Sequence, residues 1–275
     1  MNWLIENEAL LRLAGFAGLL LLLLIWQRAA PARGDSALAR RQGVNIGLVV
    51  IDTLILRLAF PVLAVGLALH LNAHDDGLFN RIDWPLWLAI PVAVLILDLA
   101  VYWQHRLMHS IPLLWRLHRV HHSDTGFDVT TGVRFHPFEI AVSMAIKLGL
   151  VWVLGPHPAA VVIFELLLSL GSLFTHTDVA LPKRLDRGLR WVLVTPSMHR
   201  IHHSVRREET DSNFGFHLSV WDRLFRSYRD SPALPETTMP IGLDTFRGPG
   251  DQTLVSLLRQ PFLAGLEPDS AQKNR

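Results

Sequence analysis

The sequence predicts an all-α fold, a polytopic membrane helical bundle that carries a histidine-rich cap. Half of the 275 residues are hydrophobic and only 18% are charged, whereas soluble domains typically carry about 25% charged residues. Several apolar runs approach the roughly 20 residues that a transmembrane helix needs. Two dense histidine clusters follow such runs. Composition therefore places the chain in the integral-membrane class, with several membrane crossings.

The amino-acid composition also excludes several classes of function. The chain contains no cysteine, which excludes disulfides, thiolate metal sites and thiol nucleophiles. The formal net charge is +2, and no basic stripe with interleaved aromatic residues is visible, so nucleic-acid binding is not expected. The basic residues are mostly arginines in loops, which fits contact with anionic lipid headgroups. Nothing in the sequence indicates an oligomeric state.

Residues 9–26 form the first predicted membrane helix, with Arg12 as its only charge. A cleaved signal peptide is the alternative, but Glu6 and Glu8 stand where a basic n-region is expected, so a retained helix is favoured. Four arginines follow this helix: Arg28, Arg33, Arg40 and Arg41. By the positive-inside rule, they predict that this loop is cytoplasmic.

Two further membrane segments precede the first histidine cluster. Residues 43–71 are more than one crossing requires, and tilt or a kink at Pro61 would absorb the excess. The loop at residues 70–83 is mainly acidic, as expected on the non-cytoplasmic side. Residues 84–102 then return the chain to the cytoplasmic side, where the histidines begin. The expected location is therefore a bacterial inner membrane with the site facing the cytoplasm.

The second half of the chain contains two shorter apolar runs, residues 140–154 and 159–174, which a Gly-Pro-His-Pro turn separates. A hairpin that dips into the membrane and a pair of spanning helices both return the chain to the cytoplasmic side. Residues 184–191 predict a short surface helix, and Thr195 and Pro196 predict a helix start.

We expect three parts in the chain. Residues 1–97 form N-terminal transmembrane helices, and residues 98–229 form a catalytic domain of membrane hairpin and histidine cap. Residues 230–275 are rich in Pro, Gly, Asp and Ser and are expected to form an extended peripheral tail, with little order after about residue 266.

The histidines recur at helical spacing. Residues at i, i+3 and i+4 share one face of a helix, so each cluster can direct two or three imidazoles to one point. The clustered histidines are His105, His109, His118, His121, His122, His199, His202 and His203. Pro112 is expected to end the first helix at Ile111, which allows two short helices to meet at an angle.

Eight clustered imidazoles are more than one metal ion needs, because a catalytic zinc typically takes three protein ligands. Eight or nine suit two ions with four or five nitrogens each, and His176, which follows an apolar run, is the expected ninth ligand. Imidazole suits iron, zinc and copper. An all-nitrogen dinuclear site beside a membrane favours two Fe ions used for dioxygen chemistry on a lipid, although zinc can substitute. The predicted architecture is thus a bundle with a cytoplasmic histidine-rich dimetal cap.

Other polar residues have open roles. Asp98 shares a helix face with His105 and would either accept a hydrogen bond from an imidazole or form a structural one. Arg134 is a candidate for a lipid headgroup or a carboxylate partner. His136 and His217 are left open between metal binding and structure, whereas His70, His74 and His157 are expected to be ordinary loop residues. Four carboxylates are candidates for orienting an imidazole: Asp124, Asp128, Glu139 and Asp222.

Six motifs resemble the fatty acid hydroxylase superfamily, which includes sterol desaturases and ether-lipid monooxygenases. They are DLAVYWQHRLMH, LWRLHRVHHS, TTGVRFHPFE, FTHTDV, TPSMHRIHHS and NFGFHLSVWDRLF. The resemblance covers about residues 98–228 and implies membrane helices with a cytoplasmic dimetal cap. It also implies metal ligation by the eight clustered histidines, with His176 matching an isolated family histidine. The chain departs from the family after Phe225, where Arg226-Ser227 replaces a common Gly-Thr.

These features predict a membrane di-iron oxygenase that hydroxylates or desaturates a lipid C–H bond with O2 and two electrons. No fused cytochrome-like domain is visible, so a separate ferredoxin- or cytochrome-type reductant is expected. One alternative is a zinc-dependent membrane hydrolase that acts on a lipid ester or amide, with Asp124 or Glu139 as its base. Another is a metal-storing or scaffold membrane protein without enzymatic activity.

Overall fold

A computed structural model describes residues 2–34, 38–60 and 62–263 of the chain. The described residues form α-helices, short 3-10 turns and isolated bridges, with no strand among them. The α-helices are α1 (Asn2–Glu6), α2 (Glu8–Ala29), α3 (Leu38–Ala59), α4 (Ala64–Ala73), α5 (Leu86–Ser110), α6 (Pro112–His122), α7 (Pro137–Leu154), α8 (Pro158–Thr175), α9 (Lys183–Leu189), α10 (Pro196–His202), α11 (Arg207–Thr210), α12 (Val220–Leu224) and α13 (Leu254–Arg259). The all-α prediction is confirmed.

Five segments are long and apolar enough to cross a membrane. They are α2, the α3–α4 segment, α5, α7 and α8. Their outer faces carry large apolar side chains at high exposure, including Leu13 at 68%, Trp87 at 76% and Trp152 at 66%. Apolar surface of this extent is stable only in contact with lipid or another apolar partner. The predicted polytopic membrane bundle is therefore confirmed by length, composition and surface.

The predicted breaks between helices occur where proline and glycine dictate. Helix α3 ends at Ala59 and α4 begins at Ala64; the predicted kink residue, Pro61, lies outside the described residues. Ile111 is extended between α5 and α6, because the following Pro112 disfavours helical geometry there. Gly155 ends α7 in the left-handed conformation that glycine adopts without steric cost. Helix α8 begins three residues later, at Pro158.

The bundle has two chemically different ends. At one end, the α7–α8 turn meets the acidic loop, where the Leu78 backbone N–H donates to the Val153 carbonyl at 3.1 Å. At the other end lie the histidine segments. The loop after α2 reaches this end as well, because the Ala32 backbone N–H donates to the carbonyl of Asp178. The basic loop and the histidines therefore share one side of the bundle.

A buried polar network attaches the cap to the membrane helices. Arg41 of α3 pairs with Asp124 at 2.6 Å and with Asp128, and Asn45 donates to Asp124 at 3.2 Å. Burial raises the pKa of Asp124, but Arg41 and Arg134 outweigh it and hold that pKa below its usual value. Breaking a buried ion pair typically costs about 3–5 kcal/mol, so this network fixes how the cap sits on α3.

Of the two partners predicted for Arg134, a carboxylate acts on it only through the charge of Asp124, without a direct ion pair between the two in the described chain. The Arg134 side chain is fully buried, so it cannot reach a lipid headgroup, and its guanidinium donates to four uncharged oxygens. These are the Val120 carbonyl, Asn45 Oδ1, Ser123 Oγ and Gln252 Oε1. The planar guanidinium presents five donors, which suits it to join several segments at once. It ties α3, α6 and the C-terminal region together.

The described part of the expected tail packs on the cap instead of extending away from it. Helix α13 contacts α3, and Gln260 is 1% exposed. Arg119 of α6 donates to the carbonyls of Gln260 and Leu263. Met239 and Ile241 bury Phe127 beneath them. Apolar residues spaced through a Pro- and Gly-rich segment gave too weak a periodicity to predict this covering layer, and the predicted loss of order after about residue 266 lies outside the described residues.

We predict that Arg226→Gly stabilises the protein. Arg226 has a φ of +59° and its side chain is exposed, so the left-handed backbone is strained without a compensating contact. Glycine removes that strain and should raise the free energy of unfolding by roughly 0.5–1 kcal/mol, less the added entropy of the unfolded chain. Chemical denaturation in detergent measures the change.

Arg187→Gly is the matched control, because Arg187 is an exposed arginine inside α9. Its replacement should cost about 1 kcal/mol, as glycine does in a helix interior. If both variants lose stability equally, backbone strain at Arg226 is not significant.

Candidate metal centre

The nine histidines predicted as ligands lie together in two groups. Each is 5% exposed or less. Within a group, one ring nitrogen from each histidine lies within 4.8 Å of the others. The first group contains His105, His109, His118, His122 and His202, and the second contains His121, His176, His199 and His203. Each group draws on several helices, so neither exists until the fold is complete.

Ring nitrogens within each group point at one another at short distances. The Nε2 atom of His105 lies 3.1 Å from that of His118 and 3.1 Å from that of His202. In the second group, the Nε2 of His176 lies 2.9 Å from that of His199 and 3.2 Å from that of His203. Two nitrogens bound to one ion at about 2.1 Å are roughly 3.0–3.4 Å apart at tetrahedral or octahedral angles. The observed separations match that spacing.

Five of the nine imidazoles are oriented by a hydrogen bond at the opposite ring nitrogen. His105 Nδ1 lies 2.8 Å from the Phe214 carbonyl, and His118 Nδ1 lies 2.7 Å from Glu139 Oε1. The other three Nδ1 atoms face the carbonyls of Arg134 (from His121), Ser172 (from His176) and Ser212 (from His202). A carbonyl or carboxylate requires an N–H, so the proton resides on Nδ1 and the lone pair on Nε2 faces the group.

The remaining nitrogens support the same interpretation. No hydrogen-bond partner in the described chain reaches the Nδ1 or Nε2 atoms of His109 and His122, although His109 Nδ1 lies 3.4 Å from Asp211 Oδ1 without hydrogen-bond geometry. The Nδ1 atoms of His199 and His203 are also buried without a partner. Buried ring nitrogens without partners are costly unless something binds them. The donor set, all neutral nitrogen, fits a transition-metal ion.

Burial keeps six of these imidazoles uncharged. Burial is the main cause and neighbouring imidazoles are the second, and together they hold the pKa values of His121, His122, His199 and His203 well below their usual value. Burial likewise lowers the pKa of His176 to about 4 and that of His202 to about 3. A metal ion binds only the unprotonated imidazole. The cap therefore holds these six histidines in the metal-binding form at neutral pH.

Asp98 does not orient any of the nine histidines. Its carboxylate accepts from His217 Nδ1 and from Trp221 Nε1, each at 2.7 Å. Of the two roles predicted for Asp98, the structural one is therefore observed. His217 also contacts the Leu167 carbonyl, so both its ring nitrogens are engaged away from the histidine groups. These bonds fasten the segment after α10 to α5 and α8.

The other histidines are structural as well. His136 accepts from the Phe138 backbone N–H and caps the start of α7, while its other nitrogen faces the Leu258 carbonyl. His157 caps α8 in the same way. His70 lies in the last turn of α4 and not in a loop as predicted, and its ring packs at a tilt against His74, which follows the helix at the end of the bundle away from the cap. None of the four joins either histidine group.

The four candidate carboxylates differ in whether they contact a histidine directly, hold a loop that orients one, or contact none. Glu139 contacts His118 directly, as predicted. Asp222 accepts from the backbone N–H groups of Phe214 and Gly215, and so holds the loop whose carbonyl orients His105. Asp124 and Asp128 belong to the Arg41 network and contact none of the nine histidines. Ser227 also donates to Asp222, through a hydroxyl that the family's threonine would also supply.

Sequence reasoning missed two kinds of residue around the histidines. Most of the hydrogen-bond partners are backbone carbonyls, which any residue type can supply, so no sequence signal marks them. Aromatic side chains also pack against the imidazoles. Phe135 stacks on His121 with the ring centroids 4.7 Å apart, and Trp115 lies 5.1 Å from His109. Phe135 stands directly before His136 in the motif TTGVRFHPFE. That position was the only indication in the sequence that Phe135 lies near the histidines.

A cavity connects the first histidine group with the interior of the bundle. It has a volume of about 310 Å³ and is lined by His105, His118 and Glu139 at the cap. Its walls are mostly apolar and come from α2, α3, α5, α7 and α8. Ligand cavities typically begin at about 300 Å³, so it can hold part of a lipid-sized molecule. An apolar ligand in this cavity would lie against His105 and His118.

Comparison with known proteins identifies relatives of the chain. The family model "fatty acid hydroxylase" matches residues 90–227. An ornithine lipid hydroxylase of Rhizobium tropici is 29% identical over 66% of the chain, and an alkylglycerol monooxygenase of Danio rerio is 32% identical over 65%. A delta(7)-sterol 5(6)-desaturase of Aspergillus fumigatus is 25% identical over 62%.

The matched regions cover only part of these relatives. They span 52%, 40% and 50% of the three proteins, respectively. No solved structure matches the chain.

We predict that Glu139→Ala weakens metal binding without removing a ligand. Glu139 accepts the Nδ1–H of His118, and loss of such a partner typically costs about 10–100-fold in metal affinity. Titration of the purified protein with a competing chelator measures the affinity. Glu208→Ala, which removes an exposed glutamate of the cap, is the control and should leave the affinity unchanged. Equal effects of the two variants would contradict a role of Glu139 in orienting His118.

We also predict that acid destabilises the metal-depleted protein below neutral pH. The folded pKa values of His176, about 4, and His202, about 3, lie below the unfolded value of about 6.5. The unfolded chain therefore binds more protons, and the stabilisation present above pH 6.5 declines as the pH falls towards 4. At about pH 5.5, each histidine should cost roughly 1 kcal/mol of unfolding free energy.

Thermal unfolding in detergent with a chelator, recorded between pH 5 and 8, measures this decline. His74→Ala is the control, because His74 is exposed and outside the cap. It should reproduce the wild-type profile. A midpoint that stays constant from pH 8 to 5 would contradict the prediction.

Proposed function

Because the chain belongs to the fatty acid hydroxylase family, we propose that it is an integral-membrane di-iron oxygenase that hydroxylates or desaturates a C–H bond of a lipid. Fatty acyl, sterol-like and ether lipids are the substrate classes that the relatives' names suggest. The two histidine groups would hold one ion each, with five and four nitrogens. Iron is the proposed metal, and zinc is expected to replace it under some growth conditions.

The observation that carries this proposal is the cavity between the membrane helices. His105 and His118, from the first histidine group, form part of its wall, and its other walls are mainly apolar. A lipid chain in this cavity would lie against the proposed metal site without crossing water. Such placement favours reaction by fixing which carbon is nearest, and it excludes water from a reactive site.

The reaction balances as R–H + O2 + 2 e⁻ + 2 H⁺ giving R–OH + H2O, and desaturation removes a second hydrogen in place of oxygen transfer. Bound iron would supply the activation of O2. The chain's own residues bind and orient: five Nδ1–H groups fix their imidazoles, and Glu139 holds the proton at His118 Nδ1. The walls around Leu97 and Phe164 hold the alkyl chain and exclude water.

The electrons and the membrane side also belong to the proposal. The two electrons would come from a separate ferredoxin- or cytochrome-type protein. The cap would face the cytoplasm of a bacterial inner membrane, because the arginine-rich loop after α2 lies on the same side as the histidines. Arg41 pairs with Asp124 and Asp128. The inference that the cap faces the cytoplasm therefore rests more on Arg28, Arg33 and Arg40 than on Arg41.

A zinc hydrolase is the rival proposal, and it would depend on Glu139. A hydrolytic base must be free to take a proton from water. Asp124 is bound by Arg41, Asn45 and Thr131, whereas Glu139 accepts from His118 through Oε1 and has no partner at Oε2 within the described chain. Activity that persists without oxygen or reductant would favour this rival. A storage or scaffold role predicts that loss of the histidines leaves lipid composition unchanged.

The direct test is product analysis. The purified protein is reconstituted with iron, a reductase system and a membrane lipid extract, and mass spectrometry compares the products with and without oxygen. We expect a lipid product heavier by one oxygen or lighter by two hydrogens, formed only when oxygen and reductant are both present. His121→Ala and His202→Ala each remove one nitrogen from a histidine group and should abolish the product and reduce bound iron.

His74→Ala is the matched control, since it removes an exposed histidine at the opposite end of the bundle. It should retain both product and iron. If no lipid class yields an oxygen-dependent product while iron remains bound, the oxygenase proposal fails.

A further inference from the structure

The cavity has a second polar end inside the membrane region. Four ionisable residues from four helices line it: Arg12 of α2, Asp52 of α3, Lys147 of α7 and Glu165 of α8. Ionisable residues within membrane helices are costly and generally mark a functional site. The reaction proposed above uses none of the four.

Helix geometry places this cluster far from the histidines. Asp52 lies eleven residues after Arg41, and Glu165 lies eleven residues before His176. At 1.5 Å per residue, both are about 16 Å from the cap along their helices. Lys147 lies eight residues beyond Glu139 on α7, or about 12 Å. The cluster and the histidines therefore form the two ends of one cavity.

Three of the four residues satisfy one another. Glu165 accepts from Arg12 Nη1 at 2.8 Å and from Lys147 Nζ at 2.6 Å, and its side chain is 3% exposed. An ammonium group carries three N–H donors, so Lys147 can donate to a second acceptor as well. This part of the cluster needs no ligand for stability, but it presents donors to the cavity.

Asp52 has no partner. It is 7% exposed, and no group in the described chain forms a hydrogen bond with its Oδ1. A buried carboxyl oxygen without a partner destabilises the folded protein. That cost is recovered if a ligand in the cavity supplies the missing bond. Asp52 is therefore in a position to form a hydrogen bond with a ligand that enters the cavity.

We propose that Asp52 and Lys147 bind a neutral hydrogen-bonding group of the substrate, a hydroxyl or an amide, at the end of the cavity opposite the histidines. A hydroxyl or amide both donates and accepts, which matches the acceptor on Asp52 and the donors on Lys147. The carboxyl of Asp52 can accept a hydrogen bond from such a group in either protonation state. This inference rests on the proposed function, because it treats the cavity as the substrate site.

The two ends together would select the carbon that reacts. With its polar group bound at this end of the cavity, a substrate reaches His105 and His118 through an apolar spacer, and the rises along α7 and α8 suggest a spacer of roughly 12–16 Å. Substrates with shorter or longer spacers would present a different carbon. Position selectivity would then follow from the distance between Asp52 and the histidines, whereas the apolar walls alone would allow the chain to slide.

The test is a binding experiment without metal, oxygen or reductant. Tritiated 1-tetradecanol is bound to the purified full-length protein in detergent, and unlabelled 1-tetradecanol, tetradecanamide, sodium tetradecanoate and n-tetradecane compete. We expect the alcohol and the amide to compete at least about tenfold better than the alkane, as one hydrogen bond to a buried group implies. Comparison of 1-tetradecanol with tetradecanamide also shows whether the site prefers a hydroxyl or an amide.

The variants assign this preference to Asp52. Asp52→Leu should reduce the advantage of alcohol over alkane to less than about threefold, and Asp52→Asn should retain most of it. Asp83→Leu makes the same change at an exposed loop position and should behave as wild type. Because Asp52 lacks a partner, Asp52→Leu should unfold at the same temperature as wild type or higher. A lower unfolding temperature, an unchanged preference in Asp52→Leu, or strongest binding of tetradecanoate would each overturn the proposal.

The outcome is separable from the oxygenase proposal. If Asp52 selects the alcohol or amide while no lipid is oxidised under any condition, the binding site stands and the proposed reaction fails. If lipids are oxidised but Asp52→Leu neither raises KM nor broadens the positions oxidised, the proposed reaction stands and this recognition role is wrong.

Discussion

The structure depends on keeping nine imidazoles buried and directed inward at once. Each imidazole has two nitrogens, and in five of them Nδ1–H donates to an oxygen outside the group, so that the lone pair on Nε2 faces inward. Most of those oxygens are backbone carbonyls at the ends of helices or in the segment after α10. The positions of α5, α7 and α8, and of the loop at Phe214, are therefore coupled to the geometry of the histidine groups.

This coupling explains the unusual number of buried charged residues in the cap. A loop held only by apolar contacts can shift, whereas Arg41, Arg134 and Asp222 each fix several backbone or side-chain oxygens and amides. Arg134 contributes twice, because its guanidinium joins three segments and its own carbonyl orients His121. The cap therefore has a polar core that lies on an apolar bundle. Buried side chains are usually apolar, but in the cap many of them are polar or charged.

The sequence was sufficient for the features that have strong local patterns. Membrane helices are visible as long apolar runs, and the corner at Pro112 follows from proline chemistry. Eight of the histidines were identified from their i, i+3, i+4 spacing, and the ninth, His176, from its position after an apolar run. It was insufficient where long-range contacts decide. Asp98 shares a face with His105, but its partners, His217 and Trp221, lie more than a hundred residues away. Which histidines share a group, and where the region after residue 230 packs, likewise follow from tertiary contacts that no local pattern encodes.

The order of the histidine segments along the chain has a consequence for biosynthesis. A nascent chain that has reached α9 contains six of the nine histidines, four of the first group and two of the second. The last three arrive with α10, after all five membrane segments have been made, and the covering residues around Met239 and α13 follow later still. Insertion of the helices therefore precedes completion of either histidine group. The segment around Met239 and α13 can therefore pack on the cap only after all nine histidines have been made.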